Sequence, residues 1–112
     1  MLPAANRLRT AADFRETTRR GGKTARVSVV VYAAGSSDDL PPRVGLIVGR
    51  SVGGSVVRHR VSRRIRGAIA PLLPGLPRGS RIVVRALPQA AHDPQLDAHV
   101  RAGLAGLLAE GR

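Results

Sequence analysis

The chain has 112 residues, enough for one compact domain and too few for two, and it carries 19 basic residues against 7 acidic ones, a formal net charge of +12. That excess goes far beyond what solubility requires and points to a polyanionic partner, since each Lys or Arg that neutralises a phosphate releases a condensed counterion. Cysteine is absent, which excludes disulfides and thiolate metal sites; no run approaches the roughly 20 apolar residues of a spanning helix and Met1 to Arg7 hold no signal-peptide core, so a cytoplasmic location without membrane contact is expected.

Thr10-Ala11-Ala12-Asp13 resembles a capping box with Asp in place of Glu, and predicts a short helix running to about Arg20 and ended by Gly21-Gly22. Arg26 to Ala34, with Val27, Val29, Val30 and Val31, reads as a strand closed by the polar turn at Gly35 to Asp39. Val44 to Val48 reads as another, with a bend that carries it past Gly49 as an option. Gly53-Gly54 is a tight connection and Ser55 a helix cap, so that a helix is expected from Val56 to about Ala70, where Pro71 stops it. Val57, Val61, Ile65, Ala68 and Ile69 share one face of that helix at ~100° per residue. Pro74 to Pro77 reads as a loop and Arg81 to Leu87 as a strand. Asp93 then caps a final helix with Pro94 at its first position and Leu96, Val100, Leu104, Leu107 and Leu108 as its apolar stripe. The expected fold is a single α/β (α+β) domain over residues 1–112: one central sheet of about four strands packed by three helices, in the order α-β-β-(β)-α-β-α.

The charge is unevenly placed. No Asp or Glu stands between Asp39 and Asp93, while that interval holds the arginines 43, 50, 58, 60, 63, 64, 66, 78, 81 and 85. Its densest part is Arg58-His59-Arg60-Val61-Ser62-Arg63-Arg64-Ile65-Arg66. On a helical wheel Arg60, Arg63 and Arg66 point away from the apolar face, Arg64 flanks it, and Arg58 sits at the N-terminal end. A solvated helix face normally mixes both signs; five arginines without an acid forgo every i,i+4 ion pair. Arg58 also opposes the helix dipole, at a cost on the order of 0.3–1 kcal/mol, unless an anion is held at that end.

Other chemistry is scarce. Gly49 to Gly54 has the glycine spacing of a P-loop, but Ser55 stands where the fingerprint requires Lys, so a tight strand-to-helix turn is the better account. His59, His92 and His99 match no metal spacing. His59 reads as a donor within the basic stretch, and His92 and His99 as surface or packing residues. Asp13 and Glu16, and Asp93 and Asp97, fit capping and dipole compensation. No Ser/His/Asp grouping stands out, and neither a catalytic residue nor a metal ligand is expected. The only aromatic residues are Phe14 and Tyr32. Phe14 is by default a core residue, and Tyr32 is expected to be half exposed near a strand end; on one surface they would suit stacking on unpaired bases.

The stretch from Arg43-Val44-Gly45-Leu46-Ile47-Val48-Gly49-Arg50 through Arg58-His59-Arg60 to Arg63-Arg64-Ile65-Arg66 resembles the signature of the bacterial ribonuclease P protein component. Asn6-Arg7-Leu8-Arg9 followed by Asp13-Phe14 is similar to that family's opening, so the resemblance spans nearly the whole chain. It implies a ribonucleoprotein endoribonuclease whose RNA subunit is the catalyst and holds most of the Mg²⁺. Its partners are then ribonuclease P RNA and precursor tRNA, with no protein partner required. The implied RNA-binding residues are Arg50, Arg58, His59, Arg60, Arg63, Arg64 and Arg66. The implied contacts to the single-stranded 5′ leader, in a cleft between sheet and first helix, are Phe14 and Tyr32. A left-handed βαβ crossover is implied as well.

The chain departs from the family pattern at His59, where Asn is usual, at Ser62, where Lys is usual, and at Ser55, where Ala is usual. A second aromatic usual on the first helix is replaced by Thr18. The competing reading from charge alone is a non-catalytic RNA-binding ribosomal or ribosome-assembly protein. A helix lying on anionic membrane would need bulkier apolar anchors than Val, Ile and Ala, and no groove-reading DNA motif is present.

Overall fold

Thr10 has an extended backbone and its Oγ1 accepts the Asp13 N–H at 3.1 Å, so helix α1 (Ala11–Arg20) begins at the expected cap. The computed structural model describes residues 2–36 and 38–110. Gly21 ends α1, its N–H donating to the Thr17 carbonyl at 3.0 Å. A Cβ on Gly21 would lie 2.5 Å from the Ala33 carbonyl oxygen, so the chain leaves α1 against the sheet backbone only as glycine.

Strand β1 (Gly22–Arg26) follows at once and pairs antiparallel with β2 (Val29–Ala34). The single strand expected from Arg26 to Ala34 is thus a hairpin end: Val27 and Ser28 form the connection, and β1 lies upstream of it. Two-residue hairpin loops favour Gly, Asn or Asp because they need positive φ. Here Val27 takes φ 45°, a region β-branched residues rarely enter, with its side chain exposed. The turn is held from elsewhere. Ser28 is fully buried, its hydroxyl donates to Asp93, and its carbonyl accepts the Leu87 N–H at 2.8 Å. Val27→Asn is expected to raise the unfolding free energy by about 1 kcal/mol, read from the urea midpoint, because Asn tolerates the left-handed region. An unchanged or lower midpoint would show that the turn holds no such strain.

Strand β3 (Arg43–Ile47) stops before Gly49 and does not continue through the bend. Helix α2 (Ser55–Ile69) is capped by Gly54, not Ser55; Gly54 is extended and supplies no side-chain acceptor. After α2 a 3₁₀ segment, Ala70–Gly75, carries the chain through Pro71 and Pro74, so the irregular connection starts earlier than the loop that Pro74 to Pro77 predict. Leu73 and Leu76 reach from this connection into the core. Strand β4 (Arg81–Ala86) and a 3₁₀ turn (Pro88–His92) lead to α3 (Leu96–Glu110). Asp93 caps a turn one step ahead of α3 rather than the helix itself: its Oδ1 accepts the Gln95 N–H at 2.9 Å and its carbonyl the Leu96 N–H at 3.3 Å.

The element order is therefore α-β-β-β-α-β-α, an α+β arrangement of three helices on one four-stranded sheet. Spatial order is β1-β2-β4-β3, with β2 and β4 antiparallel and β3 and β4 parallel. Strand side chains alternate between faces. One face (Val29, Val31, Val44, Ile82, Val84) meets Val61, Ile65, Ala68 and Ile69 of α2 and Leu96, Val100, Leu104 and Leu107 of α3 in the main core. The opposite face carries a smaller cluster of Leu8, Tyr32 and Val83, with Phe14, Val30 and Ile47 packed against it. Gly45 belongs to that second face, and a Cβ there would overlap the Phe14 ring. Glycine on β3 is what lets α1 lie close to the sheet. Among the described residues no helix is long and apolar enough to cross a membrane.

Candidate nucleic-acid interface

Burial of its apolar stripe fixes how α2 is rotated, and so where each cation points. His59, Arg60 and Arg63 are exposed along the crest, in line with Val56 and Gly67. On one flank Arg64 is turned back onto the protein. Its guanidinium donates to the Asp93 carbonyl at 2.8 Å and the Pro94 carbonyl at 3.2 Å, and lies 3.4 Å from the Asp97 carboxylate. Arg60 also touches that region through the Ala91 carbonyl at 3.3 Å. Four-residue spacing puts Arg58, Ser62 and Arg66 together on the other flank, all half-buried. The Nε of Arg58 is shielded from water and has no acceptor among the described residues.

The N-terminal turn of α2 has no side-chain cap, so its leading N–H groups lack a side-chain acceptor. Arg50 stands exposed in the preceding turn, whose buried Val52 anchors it to the core. Of the ten arginines between Asp39 and Asp93, the fold pairs four with acids: Arg43 with Asp38 and Asp13, Arg78 with Asp39, Arg81 with Glu16, Asp13 and Asp38, and Arg64 with Asp97. The other six, Arg50, Arg58, Arg60, Arg63, Arg66 and Arg85, have no acidic partner among the described residues. Five of them belong to α2 or the turn before it.

Arg66 also lines a cavity of about 340 Å³ with Leu2, Arg7, Leu8, Phe14, Val44, Gly45 and Leu46. This cavity joins the arginine helix to the second sheet face. The N-terminal segment builds its wall: the Leu8 N–H donates to the Val44 carbonyl at 3.0 Å, Arg7 Nε to the Leu2 carbonyl at 3.0 Å, and Asn6 Nδ2 to the Pro42 carbonyl at 2.8 Å. Asn6 to Leu8 thus extend the sheet beyond β3. Helix α1 covers one end of the second face, where its Asp13 and Glu16 meet Arg43 and Arg81. At the other end Ala25, Val30, Arg85 and Ile47 form a cross-strand row outside α1. Phe14 and Tyr32 do share this surface. Tyr32, however, is only 7% exposed, not half exposed: it is packed in the cluster with Leu8, Val83, Phe14, Val30 and Ile47, and the Arg85 guanidinium lies over its ring at 5.8 Å from the centroid.

The fold also assembles a grouping that sequence spacing conceals. Asp93 is buried, and its Oδ2 takes the Ser28 hydroxyl at 2.5 Å and His99 Nδ1 at 2.6 Å. Burial alone would push its carboxyl up, but the hydrogen bonds from Ser28, His99 and the Gln95 N–H prevail and hold it below its ordinary value. The geometry is not that of an activated nucleophile. The serine is fully buried and donates to the carboxylate, with the imidazole bound to the same oxygen rather than to the serine. This is a structural knot joining the β1–β2 turn to the start of α3. His99 is therefore a tethering residue, while His92 is exposed.

A sequence profile of the Ribonuclease P family matches residues 2–108. The ribonuclease P protein component of Acidothermus cellulolyticus is 50% identical over 92 residues, covering 81% of this chain and 77% of that protein. That of Rhodococcus opacus is 44% identical over 112 residues, covering 93% and 90%. Among solved structures, the ribonuclease P protein of Staphylococcus aureus superposes with TM-score 0.76 at 23% identity over 96% of both chains, a likeness of fold. That of Thermotoga maritima, in complex with 1-(4-fluorophenyl)-2-thiourea, gives TM-score 0.71 at 26% identity over 91% of this chain and 96% of that one. With sequence, fold and basic helix in agreement over nearly its full length, the chain belongs to the ribonuclease P protein family.

Proposed function

We propose that this chain works in the cytoplasm as the RNA-binding subunit of ribonuclease P, holding the catalytic RNA on α2 and the 5′ leader of precursor tRNA in the cleft between α1 and the sheet. The observation that carries this reading is the continuity of the two surfaces. Unopposed Arg60 and Arg63 crown α2, while Arg66 on its flank opens into the cavity where Phe14 sits. Phosphates of the catalytic RNA would meet the uncapped first turn of α2 with the half-buried Arg58 beside it. His59 donates from the crest in place of the usual Asn. No protein partner or membrane is needed for this arrangement.

Among the described residues no three His, Asp or Glu side chains converge on a point that would hold a metal ion. Mg²⁺ belongs with the RNA in this reading, the described residues offering it no clustered carboxylates or imidazoles. The chain contributes position and charge: its cations offset repulsion between catalytic RNA and substrate, and the cleft fixes the leader.

The test is reconstitution. The purified protein alone is expected to leave precursor tRNA intact with or without Mg²⁺, and to raise cleavage strongly when added to ribonuclease P RNA at near-physiological Mg²⁺. High Mg²⁺ should replace much of the effect by screening the same repulsion. Binding to ribosomal RNA with no effect on cleavage would instead favour a ribosomal or assembly role.

A further inference from the structure

We infer that Arg85 is the side chain that the open end of the sheet presents to the leader, and that Tyr32 acts beneath it as a platform rather than as a base-stacking ring. The inference rests on the cleft reading above and refines it. The chain has one Tyr, one Phe and no Trp. Phe14 is pressed against Gly45, and Tyr32 is 7% exposed. Stacking on a base requires a ring face open to solvent, which Tyr32 does not offer. Leu8, Val83, Phe14, Val30 and Ile47 pack around it, and the register adds a cation above. Tyr32 pairs with Val83, and Arg85 lies two residues on along β4 on the same face, so its guanidinium folds back over the ring.

Two other β-strand arginines share that face, and both are committed. Arg43 and Arg81 lie on the row that α1 covers, held by Asp13, Glu16 and Asp38. Arg85 stands at the opposite end, exposed, with no acidic partner among the described residues and with Val30, Ile47 and Ala25 as its apolar row neighbours. It is an unopposed cation on an apolar strip, already oriented by a π face below. A guanidinium so held loses less freedom on binding. It offers in-plane donors to a phosphate or base edge and its upper face to an unpaired base. The occupant that fits is a nucleotide of single-stranded RNA, and on this surface that is the leader.

The experiment compares precursor tRNA with mature tRNA, which lacks the leader, binding to the assembled complex of ribonuclease P RNA with the wild-type chain or its variants. Arg85→Ala is expected to weaken precursor binding about tenfold and leave mature tRNA unchanged. Arg85→Lys should restore the salt dependence but only part of the affinity, since an ammonium keeps the charge and loses the planar face. Tyr32→Phe should bind precursor as the wild type does, because the ring and not the hydroxyl supports Arg85. If wild type prefers precursor and Arg85→Ala keeps that preference in full, Arg85 is not the contact and the inference fails while the cleft reading survives. If wild type itself shows no preference for the leader, the cleft reading fails and takes the inference with it. Equal losses on both RNAs with a lowered melting temperature would reduce Arg85 to a structural cover for Tyr32 and overturn the proposal.

Discussion

Asp93→Ala is expected to lower the unfolding free energy by about 2–4 kcal/mol, since it leaves the Ser28 hydroxyl buried without an acceptor and frees His99, each unsatisfied group costing roughly 1–3 kcal/mol. For a domain of this size that corresponds to a fall in melting temperature on the order of 10–20 °C. The effect should spread beyond α3, because Ser28 fixes a hairpin turn whose own residues do not favour it. Asp93→Asn, which keeps the shape and one acceptor, should cost less. The pH dependence follows in sign. The Asp93 carboxyl is held below its ordinary 3.8 in the folded protein, so its contribution is fully present above about pH 4 and is lost as pH falls through the folded value. Wild-type stability should therefore drop on acidification below pH ~4 more steeply than that of Asp93→Ala. Urea unfolding of both proteins across pH 2.5–7 measures this. Parallel curves would mean that Asp93 is not held in its ionised form by the knot.

Within the basic helix, two substitutions that look alike in sequence should behave in opposite ways. The double variant Arg60→Ala/Arg63→Ala removes two cations from the exposed crest. It should reduce the slope of log K against log[salt] for ribonuclease P RNA by about 1.4–1.8, at ~0.7–0.9 per phosphate contact, with little change in melting temperature. Arg64→Ala removes a guanidinium bound to the Asp93 and Pro94 carbonyls and beside Asp97. Its expected cost is stability, about 1–3 kcal/mol for hydrogen bonds to a charged group, with the salt slope nearly unchanged. Salt titrations of RNA binding and thermal melts on the same samples separate the two. A double variant with an unaltered slope would remove the crest of α2 from the RNA surface. A full unit of slope lost on Arg64→Ala would place that residue on a phosphate and contradict its tether to α3.

Several features of this protein are determined by local chemistry, and these are legible in sequence. Thr10 caps α1 through its own hydroxyl, and the 3.6-residue apolar stripes of α2 and α3 dictate which face is buried. Once Val61, Ile65 and Ile69 are buried, Arg60 and Arg63 have to face outward, so the basic crest follows from periodicity. The long motif from Arg43 to Arg66 carries the family's signature in the sequence itself. Other features depend on which distant residues meet. The β1–β2 hairpin has no turn signal because Val27-Ser28 is held by Asp93 and Leu87 from the far end of the chain. The apparent surplus of arginines is reduced by pairing: Arg43 meets Asp38 only five residues upstream, while Asp39 and Glu16 reach Arg78 and Arg81 through the sheet and its loops. Arg64 reads as one more free cation until the start of α3 packs beside it and takes its guanidinium. Tyr32 and Arg85 are far apart in sequence and carry no mutual signal; only the β2–β4 register puts the cation over the ring, and only the second-face cluster buries the ring itself. Capping and helical periodicity act over a few residues, so the sequence contains them, whereas ion pairing, buried polar partners and cross-strand neighbours are set by strand order and register, which the tertiary fold alone decides.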